Sequence, residues 1–87
     1  METTLGKDGL KYSWQEKFKA NIKCVHCGAN SRIGFVAHEG IEKESKNYVC
    51  HLYNNGDGNK LWLHDCCAVA VYFCEKCLEP TADYNQG

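Results

Sequence analysis

Two Cys-x-x-Cys pairs constrain the fold of this chain more than any other feature. Cys24 and Cys27 form the first pair, Cys74 and Cys77 form the second, and residues 28–73 separate them. Two residues between thiolates let one tight turn direct both sulfurs at the same ion, and two such turns supply a tetrahedral ligand set. Because closed thiolate sets of this kind are usual for structural zinc, the spacing predicts one structural Zn²⁺ site.

The length of the chain favours such a cross-link. An 87-residue chain has a hydrophobic core that gives only marginal stability by itself. The seven cysteines cannot all pair as disulfides. No apolar segment follows Met1, so we expect no signal peptide, no membrane span and a cytoplasmic location. In that compartment, paired thiols are more often metal ligands than disulfides.

Hydrophobic periodicity predicts a helix near the N-terminus. Ser13 followed by Glu16 matches a capping box, and Trp14, Phe18 and Ile22 recur at the spacing of one helical face. A helix this short is marginal alone, so its aromatic face is expected to dock on the rest of the protein. We therefore predict a short amphipathic helix that starts at Ser13.

A period of two predicts strands farther along the chain. The segments with this pattern or with a short apolar run are 31–38, 47–54, 60–66 and 68–73. The Asn-Gly-Asp-Gly stretch joins the second and third segments in a hairpin, with Cys50 expected on the apolar face. A slip of one residue exchanges the two faces, and the sequence leaves that register open. The predicted fold is a small zinc-stapled α+β domain, in which the N-terminal helix accompanies a three- to four-stranded antiparallel sheet.

The chain divides into three predicted regions. Residues 1–12 have no periodic apolar pattern and are expected to be a mobile lead-in. Residues 13–80 form the single domain, and residues 81–87 are expected to be a C-terminal tail.

The two knuckles give the chain a resemblance to a known architecture. The sequences CVHCG at 24–28 and CEKC at 74–77, with AVAVYF running directly into the second, resemble the zinc-ribbon proteins and their rubredoxin-like knuckles. The resemblance covers roughly residues 22–79 and implies an antiparallel sheet closed by one zinc. Leu78 stands where the first knuckle has Gly28, so a less regular second turn and zinc rather than iron are expected. Such modules commonly contact nucleic acid or partner proteins.

The remaining donor residues leave a second reading open. Cys50, Cys66, Cys67, His51 and His64 fall between the knuckles. A second metal site built from His51, His64 and Cys66 would support a small metal-dependent nuclease or hydrolase. The Cys₄ set itself has no open coordination position, which favours a non-catalytic module.

Charge distribution suggests where a partner would bind. The net charge is −1, yet basic residues outnumber acidic ones between Lys7 and Arg32. The predicted nucleic-acid surface consists of Lys17, Lys19, Lys23 and Arg32, whereas Trp62 and Tyr53 are the candidates for a protein contact. The sequence therefore predicts a zinc-binding interaction module with a protein or nucleic-acid partner and no membrane partner.

Overall fold

The computed structural model describes residues 1–38, 49 and 67–86, and these residues form one antiparallel sheet. Its strands are β1 (Glu2–Leu5), β2 (Asn21–Lys23), β3 (Asn30–His38), β4 (Cys67–Cys74) and β5 (Pro80–Gln86). A single 3₁₀ turn, Gly6–Gly9, follows β1. No helix in this part of the chain has the length and hydropathy needed to span a bilayer.

Strand β3 organises the sheet. It pairs with β4 on one side, from Ser31 opposite Cys74 to His38 opposite Ala68. On its other side, β2 pairs with the first half of β3 and β1 pairs with the second half. Strand β5 then pairs with β4 and forms the far edge. The knuckles are consequently the β2–β3 and β4–β5 connections, and both lie at the same end of the sheet.

The predicted N-terminal helix is wrong. Residues 10–20, which we call the strap, contain no helix and cross the sheet in an irregular conformation. The Ser13 hydroxyl donates to the carbonyl of Glu16 instead of accepting its N–H, so the capping box does not form. The N–H of Trp14 donates to Oδ1 of Asn85 at 3.0 Å. Because a helix this short is marginal, such long-range bonds outweigh its propensity, and the described fold is antiparallel β rather than α+β.

The strap covers one face of the sheet. Leu10 and Phe18, each only 5% exposed, are buried in the main hydrophobic cluster. Their sheet partners in that cluster, which define the strap face, are Val36, Ala68, Ala70 and Tyr72. The Tyr72 hydroxyl also donates to the Lys19 carbonyl at 2.6 Å. Phe18 therefore docks as predicted, whereas Trp14 remains 48% exposed.

The structure confirms two of the predicted strands and adds three others, of which β2 (Asn21–Lys23) overlaps the end of the predicted helix. Segments 31–38 and 68–73 lie within β3 and β4. Strands β1 and β5 fall where the sequence analysis assigned no element, because backbone pairing with β3 and β4 forms them without an apolar alternation of their own. The domain boundaries at 12/13 and 80/81 stay a prediction. The hairpin over 47–54 and 60–66, with the placement of Cys50, lies outside the described residues apart from position 49.

Candidate metal centre

The two knuckles are built alike from backbone hydrogen bonds. In the first, the N–H of Cys24 donates to the Ala29 carbonyl at 2.8 Å. In the second, the N–H of Cys74 donates to the Glu79 carbonyl at 3.1 Å. The acceptor follows the first cysteine by the same number of residues in both turns. Each turn therefore closes at the end of a β-hairpin, where the strand pairing fixes its position.

The residue after each pair adopts a left-handed backbone conformation. Gly28 has φ of 79°, and Leu78 has φ of 63°. We expected the absence of a glycine to make the second turn less regular. Leu78 instead takes the conformation that Gly28 takes, which costs a residue with a Cβ roughly 1–2 kcal/mol. The chain thus accepts local strain to give both turns the same shape.

The four sulfur atoms converge on one point. The Sγ atoms of Cys24, Cys27, Cys74 and Cys77 all lie within 4.8 Å of one another. Two of these distances join the two knuckles: 3.6 Å from Cys24 to Cys77 and 3.5 Å from Cys27 to Cys74. A disulfide requires about 2.0 Å. A tetrahedron with Zn–S bonds of about 2.3 Å has edges of about 3.8 Å, so the spacing fits a bound ion.

Backbone amides point at the first sulfur of each pair. The N–H of His26 donates to Sγ of Cys24 at 3.3 Å. The N–H groups of Lys76 and Cys77 donate to Sγ of Cys74 at 3.3 and 3.4 Å. These donors stabilise negative charge on sulfur, which is the state in which cysteine binds a metal.

These hydrogen bonds lower the pKa values of the Cys24 and Cys74 thiols. Burial raises the pKa of Cys24, but N–H donation from Cys27 and His26 outweighs it and lowers that pKa from 9.0 to about 6. Backbone donation from Cys77 likewise lowers the pKa of Cys74 against the effect of burial.

The pKa of Cys77 is raised instead. The backbone N–H of Glu79 lowers its pKa, yet burial and hydrogen bonds with the other three thiols raise it to about 12. Without a cation, the cluster therefore retains protons on some of its sulfurs. A bound cation would supply the charge that allows all four to ionise.

A second set of contacts holds the knuckles together. The N–H of Val25 donates to Oγ1 of Thr81 at 3.1 Å. The His26 ring lies between Oε2 of Glu79, 3.0 Å from Nδ1, and the carbonyl of Pro80, 3.1 Å from Nε2. The ring therefore joins the first knuckle to two residues that follow the second. No local sequence pattern indicates this bridge, because its residues lie far apart in the chain.

The predicted nucleic-acid residues fall in two separate places. Lys17 and Lys19 belong to the strap. Lys23 and Arg32 lie on β2 and β3, and the pairing of Asn21 with Arg32 and of Lys23 with Asn30 directs them away from the strap face. No single surface therefore contains all four, and their role stays a prediction.

Of the other predicted donors, Cys67 alone lies within the residues that the structure describes. His51, His64 and Cys66, the predicted second metal site, lie outside the described residues, as do Tyr53 and Trp62. Cys67 is fully buried in β4, and it is not among the clustered sulfurs.

The fold and the site define a class: a small antiparallel β protein whose two knuckles bring together four cysteines that could hold a metal ion. Comparison of the chain with protein-family models, with curated proteins and with solved structures finds no match in any of the three. The zinc-ribbon resemblance therefore rests on the knuckles and the sheet between them.

Proposed function

We propose that this chain is a non-catalytic interaction module held together by one structural Zn²⁺. The observation that carries the proposal is the convergence of four cysteine sulfurs, two from each knuckle, at distances close to a tetrahedral edge. The ligands of the Zn²⁺ would be Cys24, Cys27, Cys74 and Cys77. An ion there would cross-link the β2–β3 and β4–β5 connections at one end of the sheet.

Complete coordination by protein argues for a structural role. Catalytic zinc keeps a position for water or substrate, whereas four thiolates leave none. Four thiolates around Zn²⁺ also carry a net charge of −2, and the N–H groups directed at Cys24 and Cys74 reduce its cost. The choice of zinc follows from the donor set, because paired Cys-x-x-Cys thiolates are usual for structural Zn²⁺. The turn at Leu78 no longer distinguishes zinc from iron, since it takes the conformation of a glycine turn.

The module would bind a protein or a nucleic acid. The alternative is a small metal-dependent nuclease or hydrolase that uses a second site at His51, His64 and Cys66. No observation within residues 1–38 and 67–86 favours that alternative. The number of metal ions per chain distinguishes the two functions, because the hydrolase requires a second metal ion in each chain.

Native mass spectrometry with elemental analysis tests the proposal. We expect one zinc per chain in the purified protein and none after exhaustive chelation. Cys24→Ser should lose the metal, whereas Cys67→Ala, which alters a buried cysteine outside the cluster, should retain it. Two metal ions per chain, together with metal-dependent hydrolysis of nucleic acid lost in His51→Ala or His64→Ala, would contradict the module and support the hydrolase.

A further inference from the structure

An open pocket lies at the knuckle end of the sheet, lined by residues of β2, β3 and β4, the 3₁₀ turn and the second knuckle. Its volume is about 670 Å³, and its lining includes Lys7, Asn21, Arg32, Phe73 and Glu75. The pairing of Arg32 with both Asn21 and Phe73 places these three side chains on the same side of the sheet. We call this group of residues the Phe73 pocket. It combines an aromatic ring, an amide, two cationic groups and one carboxylate.

The Phe73 ring packs over Gly34, at an irregularity in the pairing of β3 with β4. Gly34 sits at a register shift between Ile33 and Phe35, where β3 has one residue without a partner on β4. A Cβ added to Gly34 would lie 2.6 Å from Cδ2 of Phe73 and closer still to Cε2. The ring therefore occupies the space that a side chain at position 34 would need. The ring packs over the Gly34 backbone, and Phe73 remains 43% exposed to solvent.

Charged side chains lie beside the ring in the same pocket. Arg32 is the cross-strand neighbour of Phe73, and Nε of Arg32 contacts Oε1 of Glu75 at 3.0 Å. Its terminal nitrogens make no hydrogen bond within the described part of the chain, and its side chain is 73% exposed. Lys7 lines the pocket, and the alternation along β2 places Lys23 on the same side as Asn21. Two cationic groups, Lys7 and Arg32, thus line the pocket with one carboxylate, and Lys23 lies on the same side of the sheet outside that lining.

This combination fits a polynucleotide strand. An exposed ring held against the backbone gives a base a flat surface for stacking, and nearby guanidinium and ammonium groups bind phosphates. A duplex hides the faces of its bases, so stacking on Phe73 requires an unpaired nucleotide. The net charge of −1 and the small number of cations predict binding that depends on stacking more than on charge.

We propose that the Phe73 pocket binds single-stranded nucleic acid, with a base stacked on Phe73 and phosphates at Lys7, Lys23 and Arg32. The proposal rests on the proposed function, since it assigns a partner to the interaction module. It moves the contact away from the strap lysines Lys17 and Lys19 and places it beside the second knuckle.

Fluorescence anisotropy with labelled oligonucleotides of about 12 nucleotides, within the usual site sizes, tests the proposal. The zinc-loaded protein would be titrated with single-stranded DNA, single-stranded RNA and duplex DNA at about 50 mM salt and at higher salt. We expect one or both single strands to bind more tightly than the duplex. With three phosphate contacts, the slope of log affinity against log salt should be about −2.

Variants locate the contact. Phe73→Leu keeps an apolar group over Gly34 but removes the ring, and it should weaken binding on the order of tenfold. Arg32→Gln alters an exposed side chain and should make the salt slope less steep by just under one. Lys17→Gln removes the same charge from the strap and is the matched control, which should bind like the wild type. Thermal unfolding of each variant confirms that it is folded.

Two outcomes would overturn the proposal. One is a folded, zinc-loaded protein that binds no single strand even at about 50 mM salt. The other is binding that Lys17→Gln weakens and that Phe73→Leu and Arg32→Gln leave intact. Either would leave the interaction module standing and direct attention to the strap or to a protein partner. Hydrolysis of the oligonucleotide by the protein would instead contradict the module itself.

Discussion

Leu78 holds in the second knuckle the backbone conformation that Gly28 holds in the first, with φ of 63° against 79°. Glycine reaches this region without steric cost, whereas leucine does not. The Leu78 side chain is 76% exposed, so little packing within the chain offsets the strain. Leu78 is therefore not the most stabilising residue for the conformation of the second knuckle.

Replacing Leu78 by glycine should stabilise the protein. We expect Leu78→Gly to raise the free energy of unfolding by up to about 1 kcal/mol, because relief of strain exceeds the added entropy of the unfolded chain. Denaturant unfolding in excess zinc measures the effect. Leu78→Ala is the control, since it shortens the side chain but keeps the Cβ that causes the strain. A Leu78→Gly protein less stable than Leu78→Ala would contradict this account of the turn.

Adding a methyl group at Gly34 should have the opposite effect. The new Cβ would clash with the Phe73 ring and would lie 3.2 Å from the Val71 carbonyl oxygen. Gly34→Ala should lower the free energy of unfolding by roughly 1–3 kcal/mol. In the Gly34→Ala/Phe73→Ala double variant the ring is absent, so the two losses should be less than additive in a double-mutant cycle. Strict additivity would show that the ring does not depend on the glycine.

Ser31 has a buried hydroxyl that forms no hydrogen bond with the described residues. Its side chain is fully buried opposite Cys74 on β4, and its hydroxyl has no hydrogen-bond partner in the described structure. Ser31→Ala removes this unpaired group and should leave stability unchanged or raise it by about 1 kcal/mol. Chemical denaturation and zinc content would be measured together. A loss of both would mean that the hydroxyl supports the metal site.

The hydroxyl of Tyr72 joins the sheet to the strap. Tyr72→Phe removes its hydrogen bond to the Lys19 carbonyl and should cost about 1 kcal/mol. Burial, with a smaller effect of Asp83, raises the pKa of Tyr72 above 10.0. The unfolded protein therefore loses this proton first, so the stabilisation is complete below 10.0 and declines as pH rises through the folded pKa. Unfolding curves measured at increasing pH should converge for Tyr72→Phe and wild type, and parallel curves would contradict the assignment.

The sequence reveals the cluster well because its signal is local. Two residues between cysteines determine how a turn can present them, and the alternation along β3 and the apolar run of β4 both indicate strands. Both features depend on neighbouring residues. The knuckle cysteines and the central strand pair could therefore be predicted before the structure was known.

The strap shows why the rest could not be predicted. Ser13, Trp14 and Phe18 match a helical pattern, but Trp14 and Ser13 form hydrogen bonds with Asn85 on β5, 71 and 72 residues away. Strand β5 lacks the alternation of apolar and polar residues that predicts a strand, because its conformation depends on pairing with β4. Long-range backbone and amide contacts of this kind leave no periodic signal in the sequence.

Amide NMR of the protein before and after chelation tests the central claim most directly. Structural zinc contributes on the order of 10 kcal/mol or more of apparent binding free energy, which is comparable to or above the whole stability of a small domain. Removal of the metal should therefore collapse the dispersed spectrum to that of an unfolded chain, and equimolar zinc should restore it in wild type and in Cys67→Ala but not in Cys24→Ser. A dispersed, native spectrum that persists in the metal-free protein would contradict the claim that zinc at Cys24, Cys27, Cys74 and Cys77 holds the fold together.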